Sequence, residues 1–404
     1  NPKRRDCTFP FKGLAGVGVA FNLLMALRKS LRDQGFFNGT SAPNLRKYLD
    51  LVALGTIADM VPLIDENRIL VKYGLHELTY GDRIGIKALK EVCGLAESTI
   101  TSYLVAFRLA PRINAPGRLT QAARSVTLLT TADLKEAQDL ALSLEQENTQ
   151  RQQLEARIVR EACKIIDATP EWKERKSIVL AGSNWHPGVV GICASRLLDK
   201  YYKPSILIAC NEEKGFGRGS ARSPESFDLY EGLKSCAHLL NSYGGHRAAA
   251  GLTIPLDQLD AFQNHFDQVV SESISQEKTV PSILIDAEVS LRDVSEKLIE
   301  EIALLEPFGL SNPEPLLSSL AFDSYSSRVV GKGHLKLKIM EESFSYDAIG
   351  FNLAERFPPL LNGASRSSPH GQAKVKIAFI PQINEWQGTR NVQLKIRDIK
   401  YVEE

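Results

Sequence analysis

The apolar and polar positions of this chain fall into several rhythms, and each predicts an element. Residues 13–32 place small and apolar side chains at helical spacing after a glycine-rich entry, which predicts a helix. The run LVALGTIADMVPL, residues 51–63, is almost wholly apolar until Asp59, and residues 51–58 read as a buried strand. NRILVKYGLHEL reads as a helix, as do residues 84–110. That pattern runs into FRLAPRINAPGRLTQAA, where two prolines, a glycine and Arg108, Arg112 and Arg118 predict a rigid polar loop. From Asp133 to Ala168 the spacing becomes that of one long helix, with Asp133 and Glu136 placed as in a capping box and Pro170 barring continuation. Apolar residues mark its two ends, but its centre, EQENTQRQQ, has none. A helix polar all round at its middle is expected to bridge two domains through solvent, here over roughly 50 Å.

Residues 177–254 alternate strands with helices. SIVLAG and PSILIAC read as buried strands, and GVVGICASRLLDKY and LYEGLKSCAHLLNSY as helices, which together predict a small α/β unit. The polar tract SESISQEKTVPS reads as a linker. Beyond it come SILIDAEVSL, a helix at 294–305, and the strands HLKLKIM, YDAIGF, AKVKIAFI and VQLKIRDI. Their strict alternation turns Lys336 and Lys338, Lys374 and Lys376, or Lys395 and Arg397 outward, predicting a small half-buried barrel. GASRSSPHGQ, residues 363–372, reads as a loop insertion in it.

A length of 404 residues suggests two to four domains, and 43% hydrophobic with 24% charged residues is ordinary for a soluble globular protein. No apolar run approaches a membrane span, and the N-terminus lacks a signal peptide's order of charged, apolar and small residues. Six scattered cysteines without a C-x-x-C pair fit reduced thiols in a cytoplasm and argue against a zinc ribbon or a disulfide scaffold. The net charge of +1 hides an asymmetry: residues 1–130 carry 18 Lys and Arg against 10 Asp and Glu, while residues 281–404 carry 14 against 17. A basic lobe attracts polyanions, although such an excess is also what a solvated face looks like.

Four stretches could carry chemistry. Asp59 closes an apolar run, so it is either a cap or turn carboxylate or a metal ligand at a strand end. In GSNWHPGVVGICASRL, His186 stands between a strand end and a helix start, as a turn histidine capping the helix or beside an anion held by its amides. GFGRGSARS packs Arg218, Ser220, Arg222 and Ser223 among three glycines, a composition for phosphate or for a flexible basic turn. YGGHRAAAG sets Gly244 and Gly245 before His246, for a phosphoryl contact, proton transfer or a tightly packed turn. The last three all lie at expected strand–helix junctions of one unit, which favours a phosphate site. No Walker A, G-x-S-x-G or H-E-x-x-H pattern occurs, and no Asp-x-Asp or His-His pair accompanies Asp59.

In order and spacing, LVALGTIADMVPL, FRLAPRINAPGRL, NWHPGVVGICASRL, GRGSARS and YGGHRAAAG resemble the single-strand-specific exonuclease branch of the Asp-His-His phosphoesterase family, with its associated DHHA1 domain. LEPFGLSNPEP, VVGKGHLKLKI and NEWQGTRNVQLKIRDI look like that branch's oligonucleotide-binding barrel. The resemblance implies an α/β fold in four parts: the C-terminal part of an Asp-His-His domain (1–130), a connecting helix (131–170), a DHHA1 domain (171–275) and an OB-fold barrel (281–404). It implies a 5′-to-3′ exonuclease of DNA repair and recombination, using two Mn²⁺ or Mg²⁺ ions with Asp59 as a ligand. Ser220 and Arg222 match the 5′-phosphate pattern, and His186, Arg218 and His246 would be catalytic, at the scissile phosphate or its neighbours. Arg112, Asn114, Arg118, Gly244 and Gly245 would hold the strand, and Lys336, Lys338 and Trp386 would be barrel contacts. The implied setting is a bacterial cytoplasm, and the implied molecule a monomer meeting single-stranded DNA, a single-strand-binding protein and a helicase, with no membrane. Of the family's metal ligands only Asp59 is present, so the sequence looks like a chain missing its N-terminal strands and inactive alone. The alternative is a non-catalytic single-strand-binding or scaffold protein on the same fold.

Overall fold

The structure, a computed structural model, describes residues 1–39, 41–273, 282–323, 327–331, 333–357, 374–386 and 388–402. Helices α1 (Gly16–Asp33), α2 (Leu49–Ala58) and α3 (Asp65–Tyr80) lead into α4 (Ile84–Val92), the single turn α5 (Ser102–Leu104), α6 (Ala110–Leu119), α7 (Ala123–Thr130), α8 (Leu134–Ala168) and α9 (Pro170–Glu174). Next come β1 (Ile178–Gly182), α10 (Val190–Tyr201), β2 (Ser205–Asn211), β3 (Phe216–Arg222), α11 (Leu229–Ser235), β4 (Ser242–His246), β5 (Ala249–Pro255) and α12 (Leu259–Ser273). The C-terminal part adds β6 (Ala287–Glu288), α13 (Glu296–Ala303), β7 (Leu317–Asp323), β8 (Arg328–Val330), β9 (His334–Glu341), β10 (Phe344–Gly350), β11 (Lys374–Trp386) and β12 (Thr389–Tyr401). Among the described residues no helix is long and apolar enough to cross a membrane.

The chain forms two compact units. One joins Asn1–Gly81, Ile100–Val105 and Ile283–Glu404; the other joins Asp82–Thr99 and Ala106–Ser282. The segment boundaries expected at 130 and 170 therefore both fall inside the second unit.

In the first unit the expected strand at 51–58 is a helix, α2, with Val52, Ala53, Leu54, Thr56 and Ile57 all buried. A short run apolar on every side has no period to distinguish the two conformations. What selects the helix is burial on two sides. Gly74 of α3 lets that helix approach so closely that a Cβ there would lie 2.2 Å from the Leu49 carbonyl, and a Cβ on Gly55 would lie 2.9 Å from Val17 of α1. The C-terminal part belongs to the same unit. Leu310 O accepts from Leu63 N at 2.7 Å, and the Arg68 guanidinium donates to the carbonyls of Leu304 and Glu306.

The C-terminal strands form a curled sheet in the order β6-β7-β11-β12-β10-β9-β8, with β7 also pairing with β9 over two residues, a short seam rather than a fully laddered closure. The expected alternation is present: Leu335, Leu337 and Ile339 are buried while Lys338 between them is exposed. The expected insertion at 363–372 lies outside the described residues, as does most of the linker tract.

The second unit is built on a five-stranded sheet in the order β1-β2-β3-β5-β4, parallel between β1 and β2 and antiparallel elsewhere. One face packs Val179, Ile206, Ile208, Leu252 and Ile254 against α11 and α12, with Phe262 and Phe266 fully buried. On the other, Ile178, Leu180 and Leu207 meet Val190, Ala194 and Leu197 of α10 and Ile158, Ala162 and Ile166 of α8. Helix α8 begins as its sequence predicts, with the Asp133 carboxylate accepting from Glu136 N at 2.7 Å.

Its centre follows the prediction on one face and departs from it on the other. Glu147 (8% exposed), Asn148 (1%) and Arg151 (8%) are buried. They are bonded to one another or to neighbouring helices and form a buried polar seam on one face of the run, while Gln146, Thr149, Gln150, Gln152 and Gln153 on the other face are exposed. The expected loop at 107–123 is also helical. A π-helical turn at Val105–Leu109 runs without a break into α6, so Pro111 and Pro116 both lie within one continuous helical stretch, the π turn standing just ahead of Pro111.

Candidate phosphate-binding site

Strand β3 carries the centre of the site. GFGRGSARS is a strand, not a loop, and its glycines are there for packing: a Cβ on Gly217 would lie 2.4 Å from Ile208, and one on Gly219 2.9 Å from Leu252. Period-two alternation turns Gly217, Gly219 and Ala221 to the α11–α12 core and sends Arg218, Ser220 and Arg222 to the α10 face. There the first turn of α10 meets them. A Cβ on Gly191 would stand 2.9 Å from Ser220 Oγ and 3.3 Å from Arg222 Nη2, and Arg222 Nη1 donates to Ser220 Oγ at 3.1 Å. A helix start, a hydroxyl and a guanidinium thus converge on one spot, the donor set an anion needs.

The electrostatics agree. Burial first, and then the charge of Arg118, lower the Arg222 pKa, and no carboxylate enters that balance. Arg118, exposed at the end of α6, comes against α10 through its backbone. A Cβ on Gly188 would lie 2.1 Å from the Arg118 carbonyl. His186 holds the entry to α10: its Nδ1 accepts from Gly188 N at 3.1 Å and its carbonyl from Val189 N and Val190 N. These contacts make it a capping histidine at the start of α10.

YGGHRAAAG forms the β4–β5 hairpin and not a strand–helix junction. Register places Ser220, Gly251 and Gly244 in one row, and Arg222, Ala249 and His246 in the next. The rows share a face, so a shelf almost without side chains runs from Ser220 and Arg222 to exposed His246, about 10 Å away at two strand spacings. Gly245 is obligatory at φ +149, where a Cβ would meet Ala249 O at 2.4 Å. Arg218 lies on the same face, exposed, with its guanidinium 5.9 Å from the Phe216 ring.

Other expected residues lie elsewhere. Arg112 is buried, ion-paired with Glu145 of α8 and donating to Arg108 O at 2.7 Å, while Asn114 is exposed on α6. Asp59 follows α2 as its C-cap and is exposed, so it is not the desolvated carboxylate at a strand end that its sequence suggests. Among the described residues no three His, Cys, Asp or Glu side chains gather as a metal group, so these residues do not by themselves fit a two-ion centre. In the barrel, Lys336 lies 4.0 Å from Asp347, Lys376 is 2.5 Å from Glu288, Lys338 is exposed, and the Trp386 side chain lies outside the described residues. Sequence reasoning missed Gly191 and the acids of α8. The signal for Gly191 was the second glycine of GVVG, one turn into a predicted helix behind His186.

Comparison with known proteins is concordant. Residues 174–272 match the DHHA1 domain family and residues 285–398 the RecJ OB domain family. The single-stranded-DNA-specific exonuclease RecJ of Bacillus subtilis (strain 168) is 36% identical over 400 residues, 98% of this chain but 48% of that protein. The RecJ of Haemophilus influenzae is 36% identical over 415 residues, covering all of this chain and 70% of the relative. RecJ of Thermus thermophilus, solved in complex with Mg²⁺ and with Mn²⁺, superposes with TM-scores of 0.79 and 0.78 at 32% and 31% identity, over 98% of this chain and 57% and 55% of those chains. The chain thus spans about half the length of the Bacillus relative.

Proposed function

Because the chain belongs to the RecJ family of single-stranded-DNA-specific exonucleases, we propose that its second unit holds the 5′-terminal phosphate of a single DNA strand. Ser220, Arg222 and the first turn of α10 bind the phosphate, with Arg118 beside it. The Gly244–Gly251 shelf, in a hairpin that Gly245 makes possible, lets sugar and backbone lie close, and His186, Arg218 and His246 contact the phosphates that follow. Asn114 guides the strand, while Arg112 acts by fixing α6. Lys336, Lys338 and Trp386 are weaker contacts in the barrel, where neighbouring acids balance much of the charge. The observation that carries this reading is the joint approach of Gly191, Ser220 and Arg222.

The reaction class is 5′-to-3′ removal of nucleotides in DNA repair and recombination, by a monomer in a bacterial cytoplasm working with a single-strand-binding protein and a helicase. Asp59 is assigned as one ligand of the divalent ions, Mg²⁺ or Mn²⁺. Such ions supply charge stabilisation and an activated water at phosphorus. Since one carboxylate does not assemble that centre, the 404-residue chain alone binds strands without cutting them. A non-catalytic strand-binding role is the second reading, favoured because the residues proposed for phosphate all lie in one unit while, among the described residues, no metal-ligating group forms around Asp59. Both are tested by mixing the purified chain with 5′-phosphorylated single strands in Mn²⁺. We expect a retained complex and intact DNA. Nucleotide release abolished by Asp59→Ala would make the chain a complete nuclease and contradict the inactivity, while absence of any complex would contradict the phosphate site.

A further inference from the structure

The polar centre of α8 reads as solvated in sequence, yet Glu147 is buried and spends both carboxylate oxygens on one short turn. Oε2 accepts from Thr120 Oγ1 at 2.8 Å, and Oε1 accepts from Arg124 Nη1 at 2.6 Å. These two residues flank the turn between α6 and α7, and Thr120 lies two positions beyond Arg118. From the opposite side, the glycine at 188 lets the Arg118 carbonyl abut the entry to α10. The end of α6 is therefore gripped between two helices, with the Arg118 side chain left exposed.

We infer that Glu147 is a positioning residue for phosphate recognition: it fixes the turn after α6 and so sets where Arg118 presents its charge. The inference rests on the proposed phosphate site and adds a residue to it that touches no DNA. The grip is specific in kind. A carboxylate serves a hydroxyl donor and a guanidinium donor at once, and a bond between ionised partners is stronger than one between neutral groups. A glutamine keeps the length and one acceptor oxygen, so it preserves the Thr120 bond while giving up the charged one.

The readout is the ratio of affinities of the 404-residue chain for the same single strand bearing a 5′-phosphate or a 5′-hydroxyl, by fluorescence anisotropy. A change in this ratio is not produced by a general loss of stability, which lowers both affinities together. For the wild type we expect a ratio of about ten, on the order of one charge-assisted contact. Glu147→Ala should reduce it to within about twofold of one, Glu147→Gln should retain at least about half of it, and Thr120→Val should fall between them. If Glu147→Ala does not fold by circular dichroism, Thr120→Val decides: a ratio lowered at least about twofold supports the inference, and an unchanged ratio overturns it. Arg118→Ala separates the positioning role from the contact it serves. A collapsed ratio in Arg118→Ala with a wild-type ratio in Glu147→Ala overturns the positioning role alone. A wild-type ratio in Arg118→Ala overturns Arg118 as a phosphate contact, and the inference with it.

Discussion

At Arg222 burial and a neighbouring cation act in the same direction, both disfavouring the charge that the residue nevertheless carries. The negative charge of a bound phosphate would offset both. The response of this position to substitution should therefore be steep. Arg222→Ala removes the guanidinium but leaves the space, and should cost about tenfold in affinity for a 5′-phosphorylated strand. Gly191→Leu keeps every donor but fills the position 2.9 Å from Ser220 Oγ, and should lose as much by occlusion. The check is a titration of each variant with phosphorylated and hydroxyl-ended strands. A variant that lost affinity equally for both ends would show that the side chain supports the fold and not the terminus. Arg112 is the contrast: with Glu145 already on its guanidinium, it has little left to offer a ligand.

Among the elements, α8 organises the second unit. Its apolar ends pack on α4, α6 and α7 at one side and on α10 and the sheet at the other, and its centre is held by paired charges. Glu155 accepts from Arg151 at 2.7 Å and from Arg196 of α10 at 3.0 Å. Glu155→Ala leaves buried Arg151 without its counter-ion, held only by Asn148 and with its Nε already unpartnered, and should destabilise the chain by about 3 kcal/mol. Urea unfolding measures this, and a loss below about 1 kcal/mol would mean that the pair is merely a surface one. The length and N-cap of α8 are legible in sequence because capping and helical period are local. The alternating strands of the barrel are legible for the same reason. What the sequence conceals depends on partners distant in the chain. Nothing in EQENTQRQQ announces that Arg112, Thr120 and Arg124 lie opposite it. Nothing in LVALGTIA distinguishes a strand from a helix buried on two sides. The glycines of GFGRGSARS suggest a loop until Ile208 and Leu252 are seen against them.

For the whole molecule, what matters is which unit holds the proposed phosphate site. The second unit brings Arg118, His186, Ser220, Arg222 and the glycine shelf together without help from elsewhere, whereas Asp59 in the first stands outside any metal-ligating group of the described residues. Recognition of the strand end should therefore be separable from any chemistry done on it, and should need no metal. The decisive measurement is the affinity of the chain, in EDTA, for one single-stranded oligonucleotide carrying its phosphate at the 5′ end, at the 3′ end or at neither. The account predicts that the 5′-phosphorylated strand binds about tenfold more tightly than the other two, and equally well when Mg²⁺ replaces the chelator. Three indistinguishable affinities, or a 5′ preference that vanishes on chelation, would contradict it.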